Sequence, residues 1–335
     1  MLSIPRQINK FTNRIFNNRA HILQDLSLAA RHAWTIPLLA SPWNSESLTQ
    51  SELHPNSYNN WGDVINLSLQ TIVPLERRTY SPGTIACYPE HYAATSGREK
   101  WFFINGICTS PPIAILNGLE LAKAFHRPIH LIHTPTYGAV RDLWDSITAR
   151  TLRKDGKLSR PAYDVVKEAL AHHDKVVIVG HSQGTIVSSY IARKLLKDKR
   201  YRHHAPKLEI YCIAGVADSF RVDPQLSEHF GRGVPYVEHF ANGMDFFCRI
   251  GVLAHADNTA GEVFCIPDRT GHLLNDHYIP GIWRGEYCDQ KSRLFKYIDG
   301  NTPSSTDYVA HDLKTAAAAP KPILHPLKQV ANQRP

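Results

Sequence analysis

The stretch Lys175–Ser188 reads KVVIVGHSQGTIVS and contains three features in succession. Val176–Val179 is a β-branched run of the kind that forms a strand buried on both faces. The pentapeptide Gly180–Gly184 follows, with the pattern G-x-S-x-G and Ser182 at its centre. After the pentapeptide, apolar side chains recur at helical spacing and lysines follow them. The sequence therefore predicts a strand, a sharp turn that carries Ser182, and a helix.

The turn at Ser182 has a composition that its geometry explains. A reversal from strand to helix forces the serine into a strained backbone conformation, and bulky residues two positions before or after it would clash. Gly180 and Gly184 remove that clash. The hydroxyl is then held clear of the sheet, above a helix N-terminus whose N–H groups favour a developing oxyanion. This context predicts that Ser182 is a nucleophile rather than a bystander in a tight turn.

The motif in this setting resembles the nucleophile elbow of serine esterases and lipases of the α/β-hydrolase fold. The resemblance covers Trp101–Tyr278 and is strongest at the pentapeptide. It implies an α/β protein with a mostly parallel central sheet and helices on both faces. It also implies cleavage of a carboxylic ester by a Ser-His-Asp triad through an acyl-enzyme, with no metal or organic cofactor.

The order of the other predicted elements also favours a parallel sheet. Strand-like and helix-like segments alternate around the pentapeptide, which predicts right-handed crossovers between parallel strands. The predicted strands are Trp101–Ile104, Pro128–His133, Leu208–Ala214, Tyr236–Phe240 and Glu262–Pro267, and the predicted helices include Pro111–Phe125, Pro161–His173 and Ser292–Ile298. Short β-like runs between Asp63 and Tyr92 predict antiparallel first strands.

Two aspartates are candidates for the acid of the triad. In the family the acid follows the nucleophile in the chain and lies after a later strand. Asp218 follows the strand Leu208–Ala214, whereas Asp245 comes one strand later, at the usual acid position of the family. An Asn-Gly turn precedes Asp245 and resembles the acid loops of lipases. Asp245 is the expected acid and Asp218 the alternative, while an Asx turn or helix cap is the non-catalytic interpretation of either.

Two histidines, His272 and His277, follow the last predicted strand. A serine hydroxyl needs a base near neutral pH, and both histidines are close enough to the strand end to serve. The pair Gly271-His272 resembles the Gly-His pair that often carries the base of the family. We therefore expect His272 to be the base, with His277 as the alternative or as a support for the loop.

The resemblance also indicates which backbone groups would form an oxyanion hole. Such a site needs two N–H groups about 3 Å from the developing charge. One is the amide of Gln183, which follows the nucleophile, and the other comes from the loop Asn105-Gly106-Ile107. Many relatives have His-Gly there, but the departure to asparagine is mild because the backbone supplies the donor. Ile107 is the expected donor and Gly106 the alternative, with a simple glycine turn as the non-catalytic interpretation.

Composition divides the chain into three parts. Residues 1–60 form an N-terminal helical and loop extension, either a cap on the main domain or a loosely attached arm. Residues 61–300 form the predicted hydrolase domain, in which residues 134–160 are a candidate lid or a helix packed on the sheet. Residues 301–335 contain Ala, Pro and Lys and are predicted to be a disordered tail.

Charge and cysteine usage bear on compartment and partners. The formal net charge is +8, and residues 1–32 carry five basic side chains against one acidic one. A solvated basic surface or a peripheral contact with an anionic membrane both fit this charge, and no nucleic-acid partner is expected. The six cysteines form no C-x-x-C pair, which indicates a reducing compartment and no zinc motif. No apolar run of transmembrane length and no Sec-type signal are present, so a cytoplasmic location is expected, with organelle targeting or non-Sec secretion as alternatives.

These patterns predict a serine hydrolase that acts on a small-molecule or lipid ester. The alternative is a hydrolase fold without catalysis, which works as a binding module or as a membrane-interaction protein. An intact pentapeptide together with a late aspartate and a Gly-His pair favours the enzyme, because a binding module needs none of the three.

Overall fold

A seven-stranded sheet forms the centre of the protein. The computed structural model describes residues 19–42, 51–52, 85–89, 97–107, 109, 111–134, 156–217, 220, 235–287 and 291–303. The strands are β1 (Ile85–Tyr88), β2 (Glu99–Ile104), β3 (Ile129–Ile132), β4 (Lys175–His181), β5 (Leu208–Ile213), β6 (Tyr236–Asn242) and β7 (Glu262–Ile266). Their order in the sheet is β1-β3-β2-β4-β5-β6-β7. Only β1 pairs antiparallel, so the predicted α/β class with a mostly parallel sheet is confirmed.

Helices flank this sheet on both faces. They are α1 (Arg19–His32), α2 (Pro111–Phe125), α3 (Gly156–His172), α4 (Gly184–Lys197), α5 (Phe246–Ile250) and α6 (Ile279–Trp283), with short 3-10 segments at Ala33–Ala40, Arg202–Lys207, Ala256–Asn258 and Phe295–Gly300. Side chains of α2 and α6 share one apolar cluster, and side chains of α3 and α4 share another. The sheet is therefore covered on each side by helices, of which α2, α3 and α4 lie between strands in the chain and α6 follows the last strand.

The run Trp101–Ile104 in β2 shows why the strands are apolar without alternation. Trp101 and Phe103 lie in the cluster with α2 and α6, whereas Phe102 and Ile104 lie in the cluster with α3 and α4. All four side chains are at most 1% exposed. A strand with helices on both faces has no solvent side, so every position favours an apolar residue.

Parallel pairing brings the carboxyl ends of β4, β6 and β7 to one edge of the sheet. In the sheet, β3 lies on one side of β2 and β4 lies on the other. The direction in which the chain adds strands therefore reverses at the β2–β4 pair. Open α/β sheets form a crevice at such a point, outside the carboxyl ends of the strands. The segments after β2 and β4 meet there.

Part of the N-terminal extension lies at this same edge. Helix α1 and the segment Ala33–Ala40 pack against α5, and Leu28, Ala29 and Leu39 join an apolar cluster with Phe246 and Phe247. These contacts involve residues 28–40 of the extension, and the choice between a cap and a loosely attached arm for residues 1–60 stays a prediction. Among the described residues, no helix has both the length and the apolar character needed to cross a membrane.

Some sequence expectations are shifted and others fall outside the described residues. The helix expected to begin at Pro161 begins at Gly156, so the proline lies inside it. The helix expected at Ser292–Ile298 is instead a 3-10 segment at Phe295–Gly300. Most of the candidate lid, the β-like runs before residue 85 and the tail beyond residue 303 are not described.

Candidate active site

The backbone at Ser182 has the geometry that a reversal from strand to helix demands. Strand β4 ends at His181 and helix α4 begins at Gly184, and Ser182 between them has a φ of 52°. Left-handed backbone at a non-glycine residue costs on the order of 1–3 kcal/mol and persists only when the surroundings impose it. The Ser182 amide donates to the Ile213 carbonyl at 2.9 Å, which ties the turn to β5.

The two glycines of the pentapeptide allow this turn to pack closely. A Cβ on Gly184 would lie 2.2 Å from the Ile104 carbonyl oxygen, so any side chain would separate α4 from β2. A Cβ on Gly180 would lie 2.7 Å from Ser188 Oγ and 3.0 Å from the Gly184 carbonyl oxygen. The pattern G-x-S-x-G therefore follows from the contacts of the turn.

A continuous hydrogen-bonded chain joins Ser182, His272 and Asp245. His272 Nε2 lies 3.0 Å from Ser182 Oγ, and His272 Nδ1 lies 2.7 Å from Asp245 Oδ2. Because a carboxylate only accepts, the histidine proton lies on Nδ1, which leaves Nε2 to accept from the serine hydroxyl. Ser182 is 1% exposed, Asp245 is 0% and His272 is 9%, so the imidazole is the member of the chain nearest to solvent.

Strand ends and tight turns place Asp245 and His272 in line with Ser182. Asp245 follows β6 and is the N-cap of α5, where its side chain accepts from the Phe247 amide at 2.9 Å. His272 follows β7, directly after Gly271, whose φ is 90°. A Cβ on Gly271 would lie 2.2 Å from the His277 ring, so both the backbone angle and the close approach require glycine here.

The surroundings of Asp245 keep its carboxyl group ionised. Complete burial alone would raise its pKa, but the charge of His272 and hydrogen bonds from His272, Tyr278 and the Phe247 amide hold the pKa below its usual value. The Tyr278 hydroxyl donates to Asp245 Oδ2 at 2.8 Å and accepts from the Asn242 amide at 3.0 Å. Asp245 is thus a charged acceptor that is fixed from two sides.

A buried thiol completes this environment. Cys248 Sγ lies 3.6 Å from Asp245 Oδ2 and 3.3 Å from the Tyr278 hydroxyl. Burial, followed by the charge of Asp245, raises the pKa of Cys248 well above its usual value. The thiol therefore stays neutral and acts as a weak donor rather than as a nucleophile.

His181, inside the pentapeptide, supports the backbone of His272. Its Nε2–H donates to the His272 carbonyl at 2.9 Å, and the two imidazole rings are 5.0 Å apart between centroids. Burial, followed by the charge of His272, lowers the pKa of His181 to about 3. His181 is therefore a neutral donor throughout the usual pH range.

The expected oxyanion loop lies against Ser182. A Cβ on Gly106 would lie 2.8 Å from Ser182 Cβ, so only glycine allows this approach. The buried Asn105 side chain fixes the loop to the end of β3, since its Nδ2 donates to the Thr134 carbonyl at 3.1 Å and its Oδ1 accepts from the Thr134 amide at 2.7 Å. Gln183 adopts helical angles at the N-cap of α4, and Ile107 packs on the cluster that contains Ile186.

The alternative candidates have different positions. His277 Nδ1 accepts from the Leu273 amide at 3.0 Å, and His277 Nε2–H donates to the Pro42 carbonyl at 2.9 Å. Both ring nitrogens are thus engaged within the loop and the N-terminal segment, and His272 is the histidine that contacts Ser182. Asp218 lies outside the described residues.

Several residues at this site were not identified from the sequence. Tyr278 stands in Asp276-His277-Tyr278, close to the candidate base, but its contact with Asp245 depends on the π-helical turn Leu274–Tyr278. The family pattern marks Asn105 only as a mild departure, although an asparagine directly after a buried strand is a signal for a side chain that binds backbone groups. Within the described ranges, no group of three or more His, Cys, Asp and Glu could hold a metal ion.

Two solved structures are distantly similar to this chain. No protein-family model matches the chain, and no curated protein matches it. Among solved structures, an arylesterase is 13% identical with a TM-score of 0.34, over 73% of this chain and 94% of its own. An inhibited esterase B from Lactobacillus rhamnosis is 11% identical with a TM-score of 0.32, over 78% of this chain and 89% of its own. Values this low assign neither a family nor an activity.

Proposed function

We propose that the protein is a serine hydrolase of the α/β-hydrolase fold that cleaves a carboxylic ester. The observation that carries this proposal is the position of the His272 imidazole, 3.0 Å from Ser182 Oγ on one side and 2.7 Å from Asp245 Oδ2 on the other. A nucleophile, a base and an orienting carboxylate in this order form the constellation that activates a serine for acyl transfer.

The placement of the three residues on the sheet supports the same proposal. Ser182 follows β4, Asp245 follows β6 and His272 follows β7. The chain order nucleophile, acid, histidine, with the nucleophile between a strand and a helix, is that of the α/β-hydrolase family. An aspartate that served only as a helix cap would have no need of a histidine between it and a strained serine.

The proposed reaction uses only the groups of this site. Ser182 Oγ transfers its proton to His272 Nε2 and attacks the ester carbonyl, while Asp245 holds Nδ1–H and stabilises the imidazolium. His272 then returns the proton to the departing alkoxide, which leaves as the alcohol, while the acyl group stays bound to Ser182 Oγ as an acyl-enzyme. A water molecule repeats the two steps, so that the acid is released and Ser182 recovers its proton. No proton transfer in this scheme calls for a metal or organic cofactor.

The oxyanion would be bound at the meeting point of the turn after β4 and the loop after β2. We assign this role to the amides of Gln183 and Ile107, with Gly106 as the alternative to Ile107. The approach of Gly106 to Ser182 and the anchoring of Asn105 on Thr134 support a preformed site, which is the condition for strong stabilisation of a developing charge. The substrate is a small-molecule or lipid ester.

The test compares two buried serines, Ser182 in the turn and Ser189 in the helix that follows it. Ser182→Ala should reduce hydrolysis of short p-nitrophenyl esters to near background and abolish labelling by a fluorophosphonate. Ser189→Ala, a substitution in α4 at another buried serine, should keep both activities. Labelling that persists in Ser182→Ala, or its absence from the folded wild-type protein, would overturn the proposal and favour a binding or membrane-interaction role.

A further inference from the structure

The N-terminal arm, defined here as residues 33–42 and 51–52, contacts the loop that carries His272. We name that loop, Asp268–Tyr278, the histidine loop. More than two hundred residues of chain separate the arm from this loop. The contacts between them are therefore tertiary contacts that the fold has to bring together.

Two of these contacts are made by consecutive backbone amides, that of His272 itself and that of Gly271 directly before it. The His272 amide donates to the Leu39 carbonyl at 2.8 Å, and the Gly271 amide donates to the Leu38 carbonyl at 3.1 Å. The amide of the proposed base itself is thus bound to the arm. The pair of bonds fixes the peptide plane from which the imidazole projects.

A third contact passes through the His277 side chain. Its Nε2–H donates to the Pro42 carbonyl, while its Nδ1 accepts from the Leu273 amide. The ring also lies against Gly271, where a Cβ would come within 2.2 Å of it. His277 therefore contacts the residues before and after His272 and joins both to the arm.

Two further side chains close the connection. Thr270 Oγ1 donates to the Ser41 carbonyl at 2.7 Å. The buried Glu52 carboxylate accepts from the Asn275 amide at 3.0 Å and from Asn117 Nδ2 of α2 at 2.8 Å. The histidine loop is thus bound to the arm at both of its ends and in its centre.

Apolar packing places the same arm against the imidazole environment. Leu39 packs with Phe246 and Phe247 in one cluster, and the Phe247 ring lies 4.4 Å from the His272 ring between centroids. Arg249 of α5 lies over the Trp34 ring at 5.3 Å. Helix α5 begins directly after Asp245, so the arm contacts the elements that carry both the base and the acid.

We propose that the N-terminal arm is a positioning element for catalysis, which holds the His272 imidazole between Ser182 and Asp245 through Leu38, Leu39, Pro42 and Glu52. This inference rests on the proposed function in that it gives the arm a role in the same reaction. The hydrogen bonds of the arm described above go to the histidine loop and to α2, and none of them goes to Ser182. The arm acts through the histidine loop, so its loss should lower turnover more than substrate binding.

The expected magnitude follows from the precision that such a site requires. A productive constellation must be held within about 0.5 Å, and a misplacement of about 1 Å can cost on the order of 10²-fold in rate. Loss of one of several bonds between arm and loop should move the imidazole by less than that. We therefore expect losses of about 10-fold in kcat for a single broken contact.

The first test uses two substitutions of Glu52. Glu52→Gln keeps an oxygen that can accept from Asn275 and Asn117, whereas Glu52→Ala removes it. The alanine variant should lose about 10-fold in kcat and in the rate of fluorophosphonate labelling, with KM changed by less than about 2-fold. The glutamine variant should stay near wild type. Equal kcat in both variants would contradict the proposal.

The second test uses His277, where two amides imitate the two ring nitrogens. His277→Gln can still donate to the Pro42 carbonyl, whereas His277→Asn can accept from Leu273 but no longer reaches Pro42. The proposal requires a larger kcat loss in the asparagine variant. The reverse ranking would show that the bond inside the loop matters and that the arm does not.

A control and a substrate-free readout make the outcomes distinguishable. Thr270→Val removes only the bond to Ser41, and Thr259→Val removes a similar bond to the His255 carbonyl far from the arm, so only Thr270→Val should lower kcat. The NMR signal of the His272 Nδ1 proton reports the bond to Asp245 in the absence of substrate. This signal should weaken in Glu52→Ala. If the folded wild type hydrolyses no ester, the proposed function fails, whereas an unchanged Nδ1 signal in Glu52→Ala, Thr270→Val and His277→Asn overturns the arm proposal.

Discussion

Strands β5 and β6 carry a largely buried polar cluster at each end, and the two clusters differ in the charge of their central carboxyl group. The carboxyl-end cluster consists of Ser182, Asn242, Asp245, His272 and Tyr278, and the amino-end cluster consists of Glu209, Tyr236, Glu238, Arg293 and Tyr297. In each, a tyrosine hydroxyl donates to a carboxylate at 2.8 Å, Tyr278 to Asp245 in the first and Tyr297 to Glu209 in the second. Similar parts thus stand at opposite edges of one sheet.

The amino-end cluster is organised around the Glu238 carboxyl group. Glu238 is 0% exposed and accepts from the Tyr236 hydroxyl, Ser292 Oγ and the amides of Arg293 and Leu294. Burial raises the pKa of Glu238 in spite of these bonds. The cluster thus fixes the segment that follows residue 291 onto the sheet, and a buried carboxyl group with four donors has no capacity left for a substrate.

The carboxyl-end cluster extends toward solvent. His272 keeps 11% of its side chain exposed, and the pKa of Asp245 is lowered rather than raised, because His272 and three hydrogen bonds outweigh burial. A charged carboxylate, a largely buried imidazole and a strained serine form a hydrogen-bonded sequence that ends at Ser182, the proposed nucleophile. The difference between the clusters teaches that the charge of the carboxyl group and its link to a serine, rather than the presence of buried polar groups, distinguish the proposed site.

The largest expected effect is that of Asp245→Asn on turnover. The amide cannot stabilise the imidazolium and favours the wrong histidine tautomer, so kcat should fall by on the order of 10³–10⁴. The fold should remain, because the amide oxygen can still cap α5. Ester hydrolysis and denaturant unfolding measure the two quantities.

Asp218→Asn serves as the control for this prediction. Asp218 was the alternative acid from the sequence, and its substitution should cost little in kcat. A ranking in which Asp218→Asn is the inactive variant would reassign the acid and contradict the proposed proton path.

At the opposite end, Glu238→Ala should affect stability instead of kinetics. It leaves buried donors without an acceptor, each of which costs about 1–3 kcal/mol, so the free energy of unfolding should fall by at least ~3 kcal/mol. The kcat per folded molecule should change by less than about 2-fold, which corresponds to well under 1 kcal/mol. If the alanine variant does not fold, Glu238→Gln gives the same comparison at lower cost, and a selective loss of kcat in either variant would remove the distinction between the clusters.

The smallest effects come from the same substitution made at both ends. Tyr278→Phe removes the hydroxyl that binds Asp245 and should lower kcat by about 10-fold, equivalent to ~1.4 kcal/mol. Tyr297→Phe removes the hydroxyl that binds Glu209 and should lower the free energy of unfolding by about 1 kcal/mol, with kcat unchanged. Steady-state kinetics and urea unfolding of the two variants decide this, and equal effects on kcat would count against a functional difference between the clusters.

The elements around Ser182 were predictable because their signals are local. A β-branched run predicts β4, glycines two residues either side of the serine predict the turn, and helical spacing predicts α4. The order of later strands nominated Asp245 and His272, which the structure brings into contact with each other and, through His272, with Ser182. Helix α3 begins before the expected Pro161, because a proline is common at the start of a helix but is not excluded from its next turn.

The sequence by itself determined the α/β class, the position of the serine turn and a short set of candidate residues. Only the tertiary structure decided which histidine contacts Ser182, that Tyr278 and Asn105 fix the neighbouring groups, and that the N-terminal arm binds the histidine loop. The physical reason is that strand and helix periodicity is written in neighbouring residues, whereas these contacts join Leu39 to His272 and Pro42 to His277 across most of the chain. Such pairs have no periodic signature, and carbonyl groups, which accept in several of them, are the same for every residue type.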